Sequence, residues 1–124
     1  MVKKFILVAE DDKAYVGVYR SKLASEGYEV VIVEQGDLVV PELKKRKPDL
    51  LILDLMLPQK NGFEILEELR ADGKLKSIKV VVATNLSQDL DIERVKKFGV
   101  LDYFIKSDVS VFELVDKIKK ALAD

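Results

Sequence analysis

Short apolar runs alternate along this chain with longer amphipathic segments, and this alternation constrains the fold more than any other feature of the sequence. The runs are rich in β-branched and aromatic residues, as buried strands are. Strands that are apolar on both faces are typical of a parallel sheet with helices on each side. The five runs span residues 5–9, 30–33, 50–53, 80–83 and 103–105.

The segments between the runs carry the signals of crossover helices. Ser110 and Glu113 form a capping-box pattern before a series of apolar residues at helical spacing, and Asn61 and Glu64 give a similar start to an earlier segment. The apolar series in the last segment is Val111, Val115, Ile118 and Leu122. Helix ends are predicted at Gly27, Gly73 and Gly99.

The pattern predicts a doubly wound (βα)5 fold, which is the flavodoxin-like three-layer α/β sandwich. Right-handed crossovers and the need to cover both faces of the sheet favour the parallel strand order 2-1-3-4-5. A length of 124 residues fits one domain. We therefore expect a single domain over residues 1–124, with no effector domain.

The composition argues against several classes of function. The 21 Lys and Arg residues against 22 Asp and Glu residues give a net charge of −1, which is not the basic excess of proteins that bind nucleic acids or anionic membranes. The chain lacks cysteine and histidine, so thiolate metal sites, disulfides and a histidine base are excluded. Because no apolar stretch approaches the length of a signal core or a membrane span, we expect a cytoplasmic protein.

The predicted strands end in polar residues that suit phosphate chemistry. In an open parallel sheet, ligands bind beyond the carboxyl ends of the strands, near the switch in strand order. With the order 2-1-3-4-5, the first, third, fourth and fifth strands are neighbours, so their carboxyl ends meet at one edge. These ends carry Glu10, Asp11 and Asp12, then Asp54, Thr84 and Lys106.

The chemistry of this set favours phosphoryl transfer. Clustered carboxylates repel one another unless a cation is present, and oxygen ligands without His or Cys suit a hard ion such as Mg²⁺. The hydroxyl of Thr84 and the ammonium of Lys106 both suit a phosphoryl oxygen. Each residue taken alone also has a structural interpretation, since acids favour helix starts. Together they predict a site whose acceptor is one of the protein's own carboxylates.

Four stretches resemble the receiver domain of two-component response regulators, in particular the single-domain chemotaxis or phosphorelay type. They are ILVAEDD, PDLLILDLMLPQKNGFEIL, VVVATN and DYFIKS, and the likeness extends over essentially the whole chain. Receiver domains accept a phosphoryl group from the phosphohistidine of a sensor kinase onto the Asp that ends the third strand, here Asp54. The resemblance thus implies a signalling protein that catalyses chemistry only on itself and is not an enzyme in the usual sense.

The resemblance also implies the metal ligands of this site. Mg²⁺ would be held by the acidic pair Glu10 and Asp11, by the acceptor Asp54 and by the backbone carbonyl of Met56. Asp12 would lie just outside the pair.

A switch and its partners follow from the same resemblance. Lys106 would pair with the phosphoryl group, while Thr84 would move toward it and let the aromatic ring of Tyr103 turn. The output surface would be formed by the fourth helix, the fifth strand and the fifth helix. The implied partners are a sensor histidine kinase or phosphotransfer protein and a downstream protein target, without nucleic acid or membrane. The chain would be a monomer or a weak, phosphorylation-dependent dimer.

Three features depart from the usual receiver pattern. Ser107 follows the lysine, where receivers usually have proline after a cis peptide bond, and a cis bond to a non-proline residue costs about 3 kcal/mol. Asn85 follows the switch hydroxyl, where a small residue is common. Met56 and Leu86 hold positions that influence dephosphorylation, and because both are apolar they predict slow spontaneous hydrolysis of the phosphorylated form.

Two alternatives remain open. A receiver-like interaction module that is never phosphorylated would keep this fold, and Ser107 and Asn85 leave room for it. A flavodoxin-like cofactor binder would need a loop rich in Ser, Thr or Gly after the first strand to hold a phosphate. The three acids at residues 10–12 would repel that phosphate instead.

Overall fold

The computed structural model describes residues 3–123 and contains the predicted parallel sheet. The strand order is β2-β1-β3-β4-β5, which confirms both the α/β class and the predicted order. The strands are β1 (Phe5–Ala9), β2 (Glu29–Val33), β3 (Leu50–Leu53), β4 (Val80–Thr84) and β5 (Asp102–Ile105).

Five helical segments follow the strands. The first begins as α1 (Lys13–Val18) and continues through a π-helical turn (Tyr19–Leu23). The others are α2 (Val39–Lys45), after a short 3₁₀ turn (Gly36–Leu38), α3 (Gly62–Ala71), α4 (Asp89–Lys96) and α5 (Val111–Leu122). The side chains of Asn61 and Ser110 cap α3 and α5 by accepting hydrogen bonds from the backbone N–H groups of Glu64 and Glu113, as predicted.

Two apolar layers cover the sheet, one on each face. Alternate strand residues point to opposite faces, so Leu7 and Leu51 pack in the layer of α2, α3 and α4, while Ile6 and Leu50 pack against α5 and the first helix. All the residues of β1, β3 and β4 are buried, as expected for strands between two helical layers.

The three glycines predicted at helix ends adopt different backbone conformations. Gly27 and Gly99 have φ angles of 92° and 70°, a left-handed conformation that favours glycine at a helix end. Gly73 is not in that conformation, because α3 has already ended at Ala71 and an extended Asp72 follows. None of the helices within residues 3–123 is long and apolar enough to cross a membrane.

Candidate functional site

Three carboxylates meet at the carboxyl edge of the sheet. Glu10 and Asp11 follow β1 directly and Asp54 follows β3, its neighbour in the sheet. One carboxylate oxygen from each residue lies within 4.8 Å of the others. Glu10 and Asp54 are buried, whereas Asp11 is exposed. The strand order therefore brings together the three acids that the sequence analysis singled out.

Lys106 lies between the two buried acids. Its Nζ is 2.9 Å from Oδ2 of Asp54 and also forms an ion pair with Oε1 of Glu10. The lysine reaches this position because it follows β5, where its backbone N–H donates to the carbonyl of Thr84 at 2.8 Å. Since only 4% of its side chain is exposed, its ammonium charge acts on the carboxylates with little screening by water.

Burial dominates the pKa of Glu10, whereas the interactions with two carboxylates together outweigh burial at Lys106. Burial raises the pKa of Glu10 to about 7, and it outweighs the hydrogen bond from Lys106 that would lower this pKa. Burial would lower the pKa of Lys106, but two hydrogen-bonded carboxylates outweigh it, so this pKa is raised. The other oxygen of Glu10 accepts hydrogen bonds from the N–H groups of Asp11 and Asp12, at 3.1 and 3.0 Å.

Asp54 is held by the loop that follows it. Its Oδ1 accepts a hydrogen bond from the N–H of Met56 at 3.0 Å, while its backbone N–H donates to the carbonyl of Ala9. Gly62 at the start of α3 packs so closely that a Cβ there would lie 2.7 Å from Cα of Leu55. The tight approach of α3 to the end of β3 thus explains the glycine of the NGF stretch.

The predicted switch residues are joined through the backbone of Leu86. The buried hydroxyl of Thr84 accepts a long hydrogen bond, 3.5 Å, from the N–H of Leu86. The hydroxyl of the half-buried Tyr103 donates to the carbonyl of the same residue at 2.8 Å, and burial raises the pKa of Tyr103 to about 12. Thr84 and Tyr103 are therefore neighbours in one hydrogen-bonded unit beside the acidic cluster, as their places on β4 and β5 predict.

The departures from the usual receiver pattern lie at the rim of the site. Ser107 and Asn85 are both exposed, and residues 3–123 contain no cis peptide bond, so the Lys106–Ser107 bond is trans. Met56 is also exposed. The β5–α5 loop therefore has an ordinary backbone at this bond.

Two further residues at the start of the first helix have contacts at this edge of the sheet, and for Asp12 they confirm the helix-start interpretation of the acids. Asp12 is the N-cap of α1, since its Oδ1 accepts a hydrogen bond from the N–H of Ala14 at 2.9 Å. Tyr15 contacts Lys106 from α1, at a position that only the placement of the first helical turn reveals. No local sequence pattern points to this contact, because it depends on how the ring of Tyr15 is directed toward the end of β5.

The acidic cluster fits a hard divalent cation. It offers oxygen ligands alone, and two of the three carboxylates are taken out of water, where their mutual repulsion is strong. Glu10, Asp11 and Asp54 could hold such an ion together with further oxygen ligands, since Mg²⁺ keeps several waters in most protein sites.

The family model of the response regulator receiver domain matches residues 6–119. The chain belongs to this family of two-component signalling proteins. Receiver domains are signalling modules and not enzymes in the usual sense, as the resemblance implied. Membership in the family argues against the flavodoxin-like cofactor binder, which would share the fold but not the function.

Individual relatives are similar over nearly the whole chain. The polar-differentiation response regulator DivK of Brucella anthropi is 27% identical over 121 residues, 98% of either chain. The Mn²⁺-bound form of response regulator Rcp1 has a TM-score of 0.86 and 31% identity, over 94% of this chain and 91% of its own. The phosphorylated cyanobacterial phytochrome response regulator RcpA has a TM-score of 0.85 and 32% identity, over 97% and 91% of the two chains.

Proposed function

We propose that Asp54 accepts a phosphoryl group, in the presence of Mg²⁺, from a phosphohistidine of a sensor kinase or phosphotransfer protein. The observation that carries this proposal is the buried group of Asp54, Glu10 and Lys106 at the carboxyl edge of the sheet. The phosphorylated form of RcpA and the Mn²⁺-bound form of Rcp1 support it by family likeness.

Each residue of the site has a distinct part in this reaction. A carboxylate oxygen of Asp54 attacks phosphorus, a new P–O bond forms, and the P–N bond to the donor imidazole breaks with its electron pair on the nitrogen. Lys106, already 2.9 Å from Asp54, stabilises the negative charge of the product. Thr84 supplies a hydroxyl to a phosphoryl oxygen.

The metal would be held by Glu10, Asp11 and Asp54, with the backbone carbonyl of Met56 as a further ligand. When bound, Mg²⁺ supplies positive charge that offsets the repulsion among the carboxylates and phosphoryl oxygens. Asp11 is the exposed member of the cluster, so its oxygens are the ones that meet solvent in the metal-free protein.

The phosphorylated protein would signal through the face formed by α4, β5 and α5. Thr84 leaves Leu86 when it turns toward the phosphoryl group, and the loss of this contact frees the segment that also holds Tyr103. The result is a population shift between two arrangements of that face, which a downstream protein reads. Such a relay would operate in the cytoplasm between protein partners.

Incubation with acetyl phosphate and Mg²⁺, followed by mass spectrometry of the intact protein, tests the proposal. We expect the wild-type chain to gain one phosphoryl group and Asp54→Ala to gain none. Asp37→Ala is the matched control, because Asp37 is an exposed acid just beyond the carboxyl end of β2. No adduct on the wild type, or an adduct that persists in Asp54→Ala, would favour the interaction module that is never phosphorylated.

A further inference from the structure

Besides the two acids, the side chain of Tyr15 contacts Lys106, both at its ammonium group and at its backbone carbonyl. The Nζ atom lies 4.5 Å from the ring centroid of Tyr15, within the range of a cation–π contact. The hydroxyl of the same Tyr15 donates a hydrogen bond to the main-chain carbonyl of Lys106 at 3.3 Å. The side chain of Tyr15 on α1 therefore links the first helix to both the ammonium group and the backbone of Lys106, which follows β5.

Hydrogen bonds, and no proline ring, restrain the main chain around Lys106. A proline after the lysine would restrict the main chain through its fixed φ angle, whereas Ser107 leaves that freedom in place. The N–H of Lys106 is fixed by the carbonyl of Thr84, and Asp108 N–H closes a turn onto the carbonyl of Ile105. The bond from Tyr15 adds a restraint at the carbonyl of Lys106, between these two.

The ring of Tyr15 adds a third contact at the tip of the lysine, which Glu10 and Asp54 already hold. A lysine side chain has four methylene groups and loses much of its rotamer freedom when it is fixed. The face of an aromatic ring attracts the ammonium and excludes water from one side of it, and both effects favour the geometry in which Nζ reaches Asp54.

Tyr15 is itself well placed to do this. Its backbone N–H is part of the capped first turn of α1, since it lies 3.5 Å from Oδ1 of Asp12. Behind it, the ring of the fully buried Tyr19 lies 6.2 Å away, centroid to centroid, in a tilted arrangement. The cap holds the backbone of Tyr15, and the ring of Tyr19 limits the ways in which the side chain of Tyr15 can turn away from Lys106.

We propose that Tyr15 is a positioning residue that aligns Lys106 with Asp54 and replaces the restraint that a proline at position 107 would supply. The expected effect on the rate of phosphorylation rests on the proposed function, whereas the alignment of Lys106 by Tyr15 does not. Tyr15 acts through Lys106 and takes no part in the bond changes at phosphorus.

The kinetic test uses two substitutions that separate the ring from the hydroxyl. In Tyr15→Leu, the second-order rate constant for phosphorylation by acetyl phosphate falls about tenfold, the size of a partly desolvated cation–π contact. In Tyr15→Phe the ring stays and the fall is only about threefold, the size of one weak hydrogen bond. Tyr28→Phe and Tyr28→Leu are the matched controls, since Tyr28 is a half-buried tyrosine in the same apolar layer, next to the opposite end of the sheet.

A spectroscopic test needs no phosphorylation. In a proton–nitrogen correlation spectrum of the lysine ammonium groups, the Lys106 signal is identified by its absence in Lys106→Met. We expect the protons of this signal to be shifted upfield by the ring of Tyr15 in the wild type, in Tyr15→Phe and in both Tyr28 variants, and the shift to be lost in Tyr15→Leu.

The outcomes separate this inference from the proposed function. A wild type that takes no phosphoryl group would contradict the proposed function, while the ammonium signal would still test the role of Tyr15. If Tyr15→Leu kept the Lys106 shift, or were phosphorylated as fast as the Tyr28 controls, Tyr15 would be an ordinary packed aromatic. If Tyr15→Leu did not fold, Tyr15→Phe would decide, since wild-type kinetics in that variant would overturn the role of the hydroxyl.

Discussion

Single residues decide the charge balance of this site. Two effects oppose each other at Glu10: burial of its carboxylate beside Asp54 raises its pKa, and the interaction with Lys106 lowers it. Groups with a strongly shifted pKa cluster at functional sites. The opposition of these two effects makes the protonation of Glu10 a sensitive report on the state of the whole cluster.

The stability of the metal-free protein should depend on pH through Glu10. Its folded-state pKa of about 7 lies above the ordinary value of 4.5, so the native state binds more protons between these values. The free energy of unfolding therefore falls as pH rises through this window, by about 3 kcal/mol at most. Urea unfolding at several pH values measures it.

A matched pair of substitutions isolates this effect. Glu10→Gln should remove most of the fall in stability between pH 4.5 and 7, whereas Glu93→Gln, at an exposed site on α4, should keep it. Added Mg²⁺ should stabilise the wild type more above pH 7 than below it, because a metal ligand must be deprotonated. A pH dependence that is the same in Glu10→Gln and the wild type would contradict the assignment.

Phosphorylated Asp54 should hydrolyse slowly without a phosphatase. Met56 is 56% exposed at the rim and Leu86 packs against the core, and neither side chain can orient a water for attack on phosphorus. Met56→Asn should speed the decay at least about tenfold, which is less than the roughly hundredfold or more of a fully positioned general acid or base.

The decay can be followed by intact mass after removal of acetyl phosphate. Leu90→Asn is the control, since Leu90 is an exposed apolar residue on α4. A wild-type phosphorylated form that is lost within seconds would refute the prediction.

At the scale of elements, α4 buries the fewest residues of the five helical segments that follow the strands. It has eight residues, and Val95 alone among them is buried. Its link to α3 comes from Arg94, which lies 4.3 Å from the ring centroid of Phe63 and 3.1 Å from Oε1 of Glu67. A helix with so little buried area can shift at small cost, which suits a part of the proposed output face.

Arg70 joins three elements and should matter for stability more than any exposed arginine. Its guanidinium donates hydrogen bonds to the carbonyls of Phe98, Lys76 and Ile78, at 2.6, 2.8 and 2.8 Å. Arg70→Met leaves these carbonyls unpaired and should lower the free energy of unfolding by about 3 kcal/mol.

Urea unfolding also measures this effect. Arg20→Met, at an exposed position in the first helix, should change the free energy of unfolding by less than about 0.5 kcal/mol. Equal effects of the two substitutions would show that the three hydrogen bonds of Arg70 contribute little.

At the scale of the whole molecule, the features that depend on local pattern were predictable. Apolar runs, caps and the handedness of crossovers led to the sheet order, and the sheet order brought Glu10, Asp11 and Asp54 to one edge. The contacts of Tyr15 and Arg70 were not predictable, because they depend on the direction of long side chains between elements far apart in sequence. The trans bond at Ser107 also needed the structure, since a serine permits it without requiring it.

The most direct measurement for the central claim is the position of the phosphoryl group in the chain. After reaction with acetyl phosphate and Mg²⁺, borohydride converts an aspartyl phosphate to homoserine, which tandem mass spectrometry of peptides can locate. We predict homoserine at position 54, in an amount that falls sharply when Mg²⁺ is removed by a chelator. Homoserine at another acid, or none at any position while RcpA treated in parallel is modified, would contradict the account.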